Sequence, residues 1–100
     1  MDLREAQKAV YQNKVDKGFN ITDVNKEFCL LYGEVAEAYD AWRKKQADVG
    51  EELADVAIYL MGLSEMLGID LSGAIEAKMA INRAREYREI DGVMRRVTEE

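Results

Sequence analysis

The sequence predicts an all-α protein, an antiparallel four-helix bundle formed by a single domain over residues 1–100. Three observations predict this class. Apolar residues recur at helical spacing, and no segment alternates apolar and polar residues as a half-buried strand would. The chain contains no proline, the residue that breaks helices. Glycines separate the helical segments, so the connections are short and neighbouring helices should be antiparallel.

The first two helices have clear boundaries. The first is predicted over residues 3–17 and ends at Gly18, because glycine commonly follows the last turn of a helix. Thr22 or Asp23 begins the second, since either side chain can accept a hydrogen bond from the first turn. This helix extends to about residue 45, and a polar stretch over residues 43–49 then turns the chain.

The third helix is predicted from Gly50 to residue 67 and ends at Gly68. Asp70 or Ser72 caps the fourth, which reaches about residue 88. The core of the domain should therefore cover residues 3–88. Residues 89–100 are predicted to be a C-terminal tail, either a short extra helix or a segment disordered on its own.

The net charge of −6 argues against nucleic acid or an anionic membrane as a partner held by general electrostatics. The charged N-terminus carries no apolar segment, and the longest apolar runs are too short to span a bilayer. We therefore expect a cytoplasmic protein. One hundred residues cannot enclose a deep pocket easily, so such a site should form between subunits.

The residue types present restrict the catalytic chemistry. The chain has no histidine, which excludes Ser-His and Cys-His catalysis. Its single cysteine, Cys29, stands between Phe28 and Leu30 and is predicted to be packed and inert. Carboxylates, lysine, arginine or a bound metal must therefore perform any reaction.

Two pairs of carboxylates lie within the apolar helical sequence: Glu34 with Glu37, and Glu52 with Asp55. The i, i+3 spacing places both members of a pair on one helix face, where like charges repel unless a cation lies between them. If the second and third helices are antiparallel, all four carboxylates can converge. Oxygen ligands without imidazole or thiolate favour Mg²⁺, with Mn²⁺ as a substitute.

The acidic pairs flank two apolar stripes that should form the core. The stripe of the second helix consists of Val24, Phe28, Leu31, Val35, Ala38 and Trp42. The stripe of the third consists of Leu53, Val56, Ala57, Leu60, Leu63 and Leu67. The alternative is a solvated acidic face on a non-catalytic helical dimerisation module, because 20 of the 100 residues are acidic.

A third feature lies on the fourth helix, where Lys78, Asn82 and Arg85 follow one another at i, i+4 and i+7. Two cations and an amide on one face can hold phosphate oxygens. A solvated basic face near a helix C-terminus is the alternative.

Together these motifs resemble the MazG family of all-α nucleoside triphosphate pyrophosphohydrolases. The resemblance rests on residues 31–38 (LYGEVAEA), 51–56 (EELADV), 68–71 (GIDL) and 78–85, and on the Lys-Gly-Phe turn at 17–19. It implies Mg²⁺-dependent hydrolysis of a (deoxy)nucleoside triphosphate to the monophosphate and pyrophosphate. For the cellular role, nucleotide-pool house-cleaning is the expectation, and control of a deoxynucleotide pool is the alternative. It also implies a homodimer or homotetramer with its sites near the subunit interface.

The resemblance also implies roles for individual residues. Glu34, Glu37, Glu52 and Asp55 would be the catalytic metal ligands, and Lys78, Asn82 and Arg85 would contact the triphosphate. Gly33 departs from the family, whose first motif commonly has a glutamate at this place, so the general base is unassigned. Candidates for base stacking are aromatic, and core positions remain the alternative for each of them: Phe19, Tyr39, Trp42 and Tyr59.

Overall fold

A computed structural model describes residues 1–97 as four α-helices followed by a β-hairpin. The helices are α1 (Leu3–Lys17), α2 (Val24–Arg43), α3 (Val49–Met66) and α4 (Leu71–Ala84). The strands are β1 (Glu86–Ile90) and β2 (Val93–Val97), which pair antiparallel. The four predicted helices are confirmed.

Aspartates begin three of the helices. The side chains of Asp2, Asp23 and Asp70 each accept a hydrogen bond from a backbone N–H in the first turn that follows. Asp23 and Asp70 are therefore the caps, rather than Thr22 and Ser72. Gly18 ends α1 with a φ of 71°, a left-handed conformation that glycine adopts without strain.

The helices α2 and α3 pack side by side, and the short connection between them makes them antiparallel. The helix α1 packs on α3. The helix α4 bends 106° away from α3 and packs on α1 instead. Where α4 begins, Arg4 and Asp70 form an exposed salt bridge of 3.0 Å.

No single helix within residues 1–97 is long and apolar enough to cross a membrane. The bent pair of α3 and α4 meets the requirement together, by length and composition only.

The predicted core stripes are only partly buried in one chain. Ala38 on α2 and Leu63 on α3 are buried as predicted. The larger side chains of both stripes are exposed, which corrects the prediction: Phe28, Val35, Trp42, Leu53, Leu60 and Leu67. The reason is that the buried face of α2 is shifted from the predicted stripe: it shares Ala38 with the stripe but also contains Glu27 and Ala41. A large apolar surface is therefore exposed within residues 1–97.

A charged pair occupies the centre of the fold. Lys14 on α1 and Glu27 on α2 form a salt bridge of 2.9 Å, with only 11% and 2% of their side chains exposed. The Asn20 amide also donates a hydrogen bond to Glu27. The Lys14 stem lies over Gly62 of α3, where an added Cβ would be 3.1 Å from Lys14 Cδ. This pair joins the first three helices.

The C-terminal region differs from the prediction. The helix α4 ends at Ala84 rather than near residue 88, because residues 86–90 pair with 93–97. Asp91 and Gly92 form the turn with φ values of 54° and 78°, as a two-residue hairpin turn requires. The predicted tail is thus a β-hairpin up to Val97, and its residues 98–100 lie outside the described part.

Cys29 was predicted to be packed, but it is exposed. It follows Phe28 on the outer face of α2, which no other element of the described chain covers.

Candidate metal and nucleotide site

Three of the four predicted carboxylates converge. Glu34 and Glu37 on α2 and Glu52 on α3 each offer a carboxylate oxygen, and these oxygens all lie within 4.8 Å of one another. The antiparallel packing of α2 and α3 creates this arrangement, since it places the first turn of α3 beside the second half of α2. Separations of this size allow a single cation to contact all three groups.

The electrostatics of this cluster match a cation site. Glu34 Oε2 and Glu52 Oε2 are buried and accept no hydrogen bond within residues 1–97. Burial first, and then the charges of Glu37 and Asp55, raise the pKa of Glu34 above its ordinary value. The pKa of Glu52 is raised by burial and then by Glu37 and Asp48. The donor set therefore fits a divalent cation, which removes both the repulsion and the unsatisfied oxygens.

Asp55 lies close to the three glutamates but outside their compact group. It is exposed, and its charge contributes to the raised pKa of both Glu34 and Glu52. Asp48, which no sequence motif indicated, contributes to the raised pKa of Glu52. Asp48 precedes α3 but its side chain makes no capping hydrogen bond, and its Oδ1 is buried without a partner in the described chain. Sequence alone does not show that Asp48, although it stands at the start of a helix, makes no capping hydrogen bond.

Tyr59 borders the cluster. It follows Glu52 and Asp55 on one face of α3, at i+7 and i+4 respectively. Burial first, and then the charges of Glu34 and Glu27, raise the pKa of its hydroxyl. Tyr59 therefore lies between the acidic cluster and the buried pair of Lys14 and Glu27.

The basic stripe lies at the C-terminal half of α4 and just beyond it, with Lys78 and Asn82 exposed and Arg85 half-buried. Lys78 and Asn82 lie on the helix, and Arg85 follows its last residue and donates a hydrogen bond of 3.0 Å to the Asn82 amide oxygen. Glu52 lies near the start of α3, whereas α4 follows its end. From Glu52 to Met66 the helical rise amounts to roughly 21 Å. The stripe of one chain is therefore remote from its own acidic cluster.

Gly33, the position at which the chain departs from the expected motif, lies within α2 beside Glu34. A Cβ there would meet nothing within 4 Å among the described residues. Packing within residues 1–97 therefore does not require glycine at position 33.

A pocket of about 640 Å³ is lined in part by Tyr59, the residue that borders the acidic cluster. It lies between α1, the turn after it, α2 and α3, with Tyr59 at its edge. Its wall combines apolar side chains, among them Phe19, Leu30 and Ile58, with amides and the Lys14–Glu27 pair. Leu30 and Ile58 remain substantially exposed in it.

The sequence pattern of the MazG-like family matches residues 21–98, which include the acidic cluster and the basic stripe. The chain belongs to the MazG-like family. A solved structure agrees with this over the whole length of the chain. It is the Cyanophage S-2L MazG-like pyrophosphohydrolase bound to dGDP and three catalytic Mn²⁺ ions per active site. The TM-score is 0.78 at 28% identity, with 100% of this chain and 97% of the other covered.

Curated relatives of this MazG-like chain are named as nucleotide hydrolases. A dATP/dGTP diphosphohydrolase of Cyanophage S-2L is 49% identical over 47 residues, which are 46% of this chain and 45% of that protein. One of Salmonella phage PMBT28 is 34% identical over 76 residues, 76% of this chain and 25% of the relative. Rat (Rattus norvegicus) dCTP pyrophosphatase 1 is 39% identical over 64 residues, which cover 53% of this chain and 38% of the relative. The chain thus matches between 25% and 45% of the length of these relatives.

Proposed function

We propose that this MazG-like chain hydrolyses (deoxy)nucleoside triphosphates to the monophosphate and pyrophosphate in a reaction that requires Mg²⁺ or Mn²⁺. The convergence of Glu34, Glu37 and Glu52, with two buried carboxylate oxygens that lack partners, carries this proposal. The structural neighbour that binds dGDP and Mn²⁺ supports it, as do the relatives named for dATP, dGTP and dCTP. The cellular role would be nucleotide-pool house-cleaning, and the cytoplasmic location stays a prediction.

The acidic cluster argues against the alternative of a non-catalytic module. A solvated acidic face would have its carboxylate oxygens in water, where screening makes repulsion weak. In this chain oxygens of Glu34 and Glu52 are buried together, which costs free energy unless a cation compensates it. Such stored repulsion is typical of functional sites.

In the proposed mechanism Glu34, Glu37 and Glu52 hold the divalent ion, and Asp55 borders it. When bound, the ion supplies positive charge to the phosphate oxygens and lowers the pKa of water. Glu34, Glu37 and Glu52 would hold the ion, water would attack the α-phosphorus in line, the bond from this phosphorus to the oxygen that bridges it to the β-phosphorus would break, and pyrophosphate would leave. Lys78 and Arg85 would neutralise the departing pyrophosphate, and the Asn82 amide would donate to it. The protein contributes position and charge, which suits a chain without histidine.

The identity of the products, and the product that carries an oxygen isotope from water, test which bond is cleaved. We expect dNMP and pyrophosphate when a panel of nucleoside triphosphates is incubated with Mn²⁺ or Mg²⁺ and separated by ion-exchange chromatography. In ¹⁸O-labelled water the label should enter the monophosphate, because water attacks the α-phosphorus. A reaction with EDTA is the control. Formation of the diphosphate and inorganic phosphate, or label in pyrophosphate, would contradict the proposal.

We also propose that the active unit is a homo-oligomer in which α4 of a second copy reaches the acidic cluster. Three observations support it. The stripe is remote from the cluster of its own chain, no residue of α4 is buried, and most large side chains of the apolar stripes of α2 and α3 are exposed within residues 1–97. A symmetric dimer would cover these stripes and bring two basic stripes to two clusters.

Subunit mixing tests this arrangement. Glu52→Gln and Arg85→Ala should each be inactive alone, because each removes one half of every site. After the two variants are mixed and allowed to exchange subunits, about a quarter of wild-type activity should return if the unit is a symmetric dimer with one intact site per mixed pair. Sedimentation analysis gives the oligomeric state. A monomer at micromolar concentration, or no recovery after verified exchange, would rule out the shared site.

A further inference from the structure

We propose, as an extension that rests on the proposed function, that Asp48 is a further ligand of the metal site, where it contacts a divalent cation together with Glu52. Asp48 stands immediately before α3 and is not one of the four carboxylates that the sequence motifs indicated. Its side chain is half-buried, and its Oδ1 is buried without a hydrogen-bond partner within residues 1–97. The inference adds one residue from the connection between α2 and α3 to the three converging glutamates.

The first argument is the backbone at the start of α3. An aspartate before a helix ordinarily has an extended backbone, and its side chain accepts a hydrogen bond from the first turn. Asp2, Asp23 and Asp70 follow this rule, with ψ values of 128°, 97° and 94°. Asp48 has a ψ of 17°, and its side chain accepts no such hydrogen bond. The carboxylate of Asp48 is therefore not used to cap the helix that it precedes.

The second argument is that no cation of the described chain neutralises this carboxylate. A buried carboxylate oxygen that has neither a hydrogen bond nor a cation beside it costs free energy. Arg43, at the end of α2, pairs with Asp40 at 3.2 Å instead. Lys44 and Lys45 form no salt bridge within residues 1–97, although both belong to the same connection. A cation from outside the chain would supply the partner that this oxygen lacks.

The third argument is the position of Asp48 relative to the acidic cluster. Asp48 and Glu52 are one helical turn apart, at i and i+4, so their side chains lie on one side of α3. Burial first, and then the charges of Glu37 and Asp48, raise the pKa of Glu52. The charge of Asp55 has a smaller effect on Glu52 than that of Asp48. Asp48 therefore extends the cluster at the Glu52 end.

The chemistry of Asp48 and Glu52 suits one shared cation. Mg²⁺ and Mn²⁺ prefer oxygen ligands, and an ionised carboxylate offers two oxygens that only accept. Glu52 Oε2 and Asp48 Oδ1 are both buried without a hydrogen bond within residues 1–97. A divalent cation beside them removes the repulsion between the two charges and satisfies the oxygens. Asp48 should therefore raise the affinity of the site for the metal.

Direct metal binding tests the inference without any reaction. Mn²⁺ is titrated into the protein in the absence of nucleotide, and free Mn²⁺ is measured by electron paramagnetic resonance. Asp48→Asn should weaken Mn²⁺ binding roughly tenfold or more, because even partners of metal ligands have effects of this size. Asparagine is favoured before a helix, so the variant should fold, which circular dichroism checks.

The matched control is Asp23→Asn, which also removes a negative charge from the start of a helix. Asp23 is exposed, and α2 rises about 16 Å from Asp23 to Glu34. The Mn²⁺ affinity of this control should stay within about twofold of the wild type, since salt and solvent screen charges over such a distance. Equal losses in Asp23→Asn and Asp48→Asn would show a general effect of charge and overturn the assignment. Unchanged Mn²⁺ affinity in Asp48→Asn would overturn it as well.

Rates of hydrolysis, measured on the same proteins, separate this inference from the proposed function. If both are correct, the Mn²⁺ concentration that gives half the maximal rate should rise roughly tenfold in Asp48→Asn. Hydrolysis with equal Mn²⁺ binding in Asp48→Asn and the wild type would support the activity and reject Asp48 as a ligand. Mn²⁺ binding that Asp48→Asn weakens, in a protein that hydrolyses no nucleoside triphosphate, would support the ligand and reject the hydrolysis. A wild type that neither binds Mn²⁺ nor hydrolyses a nucleotide would reject both.

Discussion

Replacing Glu52 by Gln is expected to lower metal-dependent hydrolysis by about a hundredfold or more, since even partners of metal ligands cost tenfold to a hundredfold when removed. The amide keeps the size of the side chain but removes one of the three converging charges. Initial rates are measured over a range of Mn²⁺ and Mg²⁺ concentrations. The matched control is Glu51→Gln, which makes the same chemical change at the exposed neighbour of Glu52 and should leave the rate nearly unchanged.

Thermal melts of the same proteins test whether the loss has the predicted cause. The pKa of Glu52 is raised by burial and by Glu37, so the charged form is disfavoured in the metal-free protein. Glu52→Gln should therefore melt at the same temperature as the wild type or higher when metal is absent. MgCl₂ at about 10 mM is enough to exceed the dissociation constant of a weak carboxylate site. At this concentration the melting temperature of the wild type should rise more than that of the variant. An equal rise in melting temperature in both proteins, together with unchanged activity, would contradict metal binding by the acidic cluster.

The sequence predicted the helices and the acidic cluster because both depend on local spacing. The i, i+3 pairs necessarily share a helix face, and the short connection between α2 and α3 brings the faces together. Asp55 shows the limit of this reasoning, since it shares the face of Glu52 but lies at the margin of the cluster. Spacing predicts on which side of a helix a residue lies, whereas the distance of that residue from a neighbouring helix depends on how the helices pack.

The errors have physical causes as well. The apolar stripes of α2 and α3 were assigned to a core within the chain, but a periodic pattern cannot distinguish burial against the same chain from burial against another. The hairpin was missed although Asp91-Gly92 is a strong turn signal, because Glu86–Ile90 and Val93–Val97 carry charges that obscure alternation. The burial of Glu27 and Lys14 could not be predicted, because charged residues are rarely buried unless they are paired. Their pairing joins two different helices, so sequence spacing does not show it.

That buried partnership leads to the largest stability effect that we expect from a single substitution. Lys14→Met should lower the free energy of unfolding by about 3–5 kcal/mol, because it leaves the Glu27 carboxylate buried without its cation. Glu27 is 2% exposed, so water cannot replace the lost partner without opening the contact of α1 with α2. Urea denaturation followed by circular dichroism, at one protein concentration for all variants, measures the change.

Two further variants isolate the cause of this loss. In Lys14→Met combined with Glu27→Leu, most of the stability should return, because an apolar pair of similar volume carries no desolvation cost. Arg4→Met is the matched control, since the Arg4–Asp70 bridge of 3.0 Å also joins two helices but has 56% and 51% of its side chains exposed. Solvent screens this pair, so its removal should cost far less. If the double variant were as unstable as Lys14→Met alone, the unpaired charge of Glu27 would not be the cause of the lost stability.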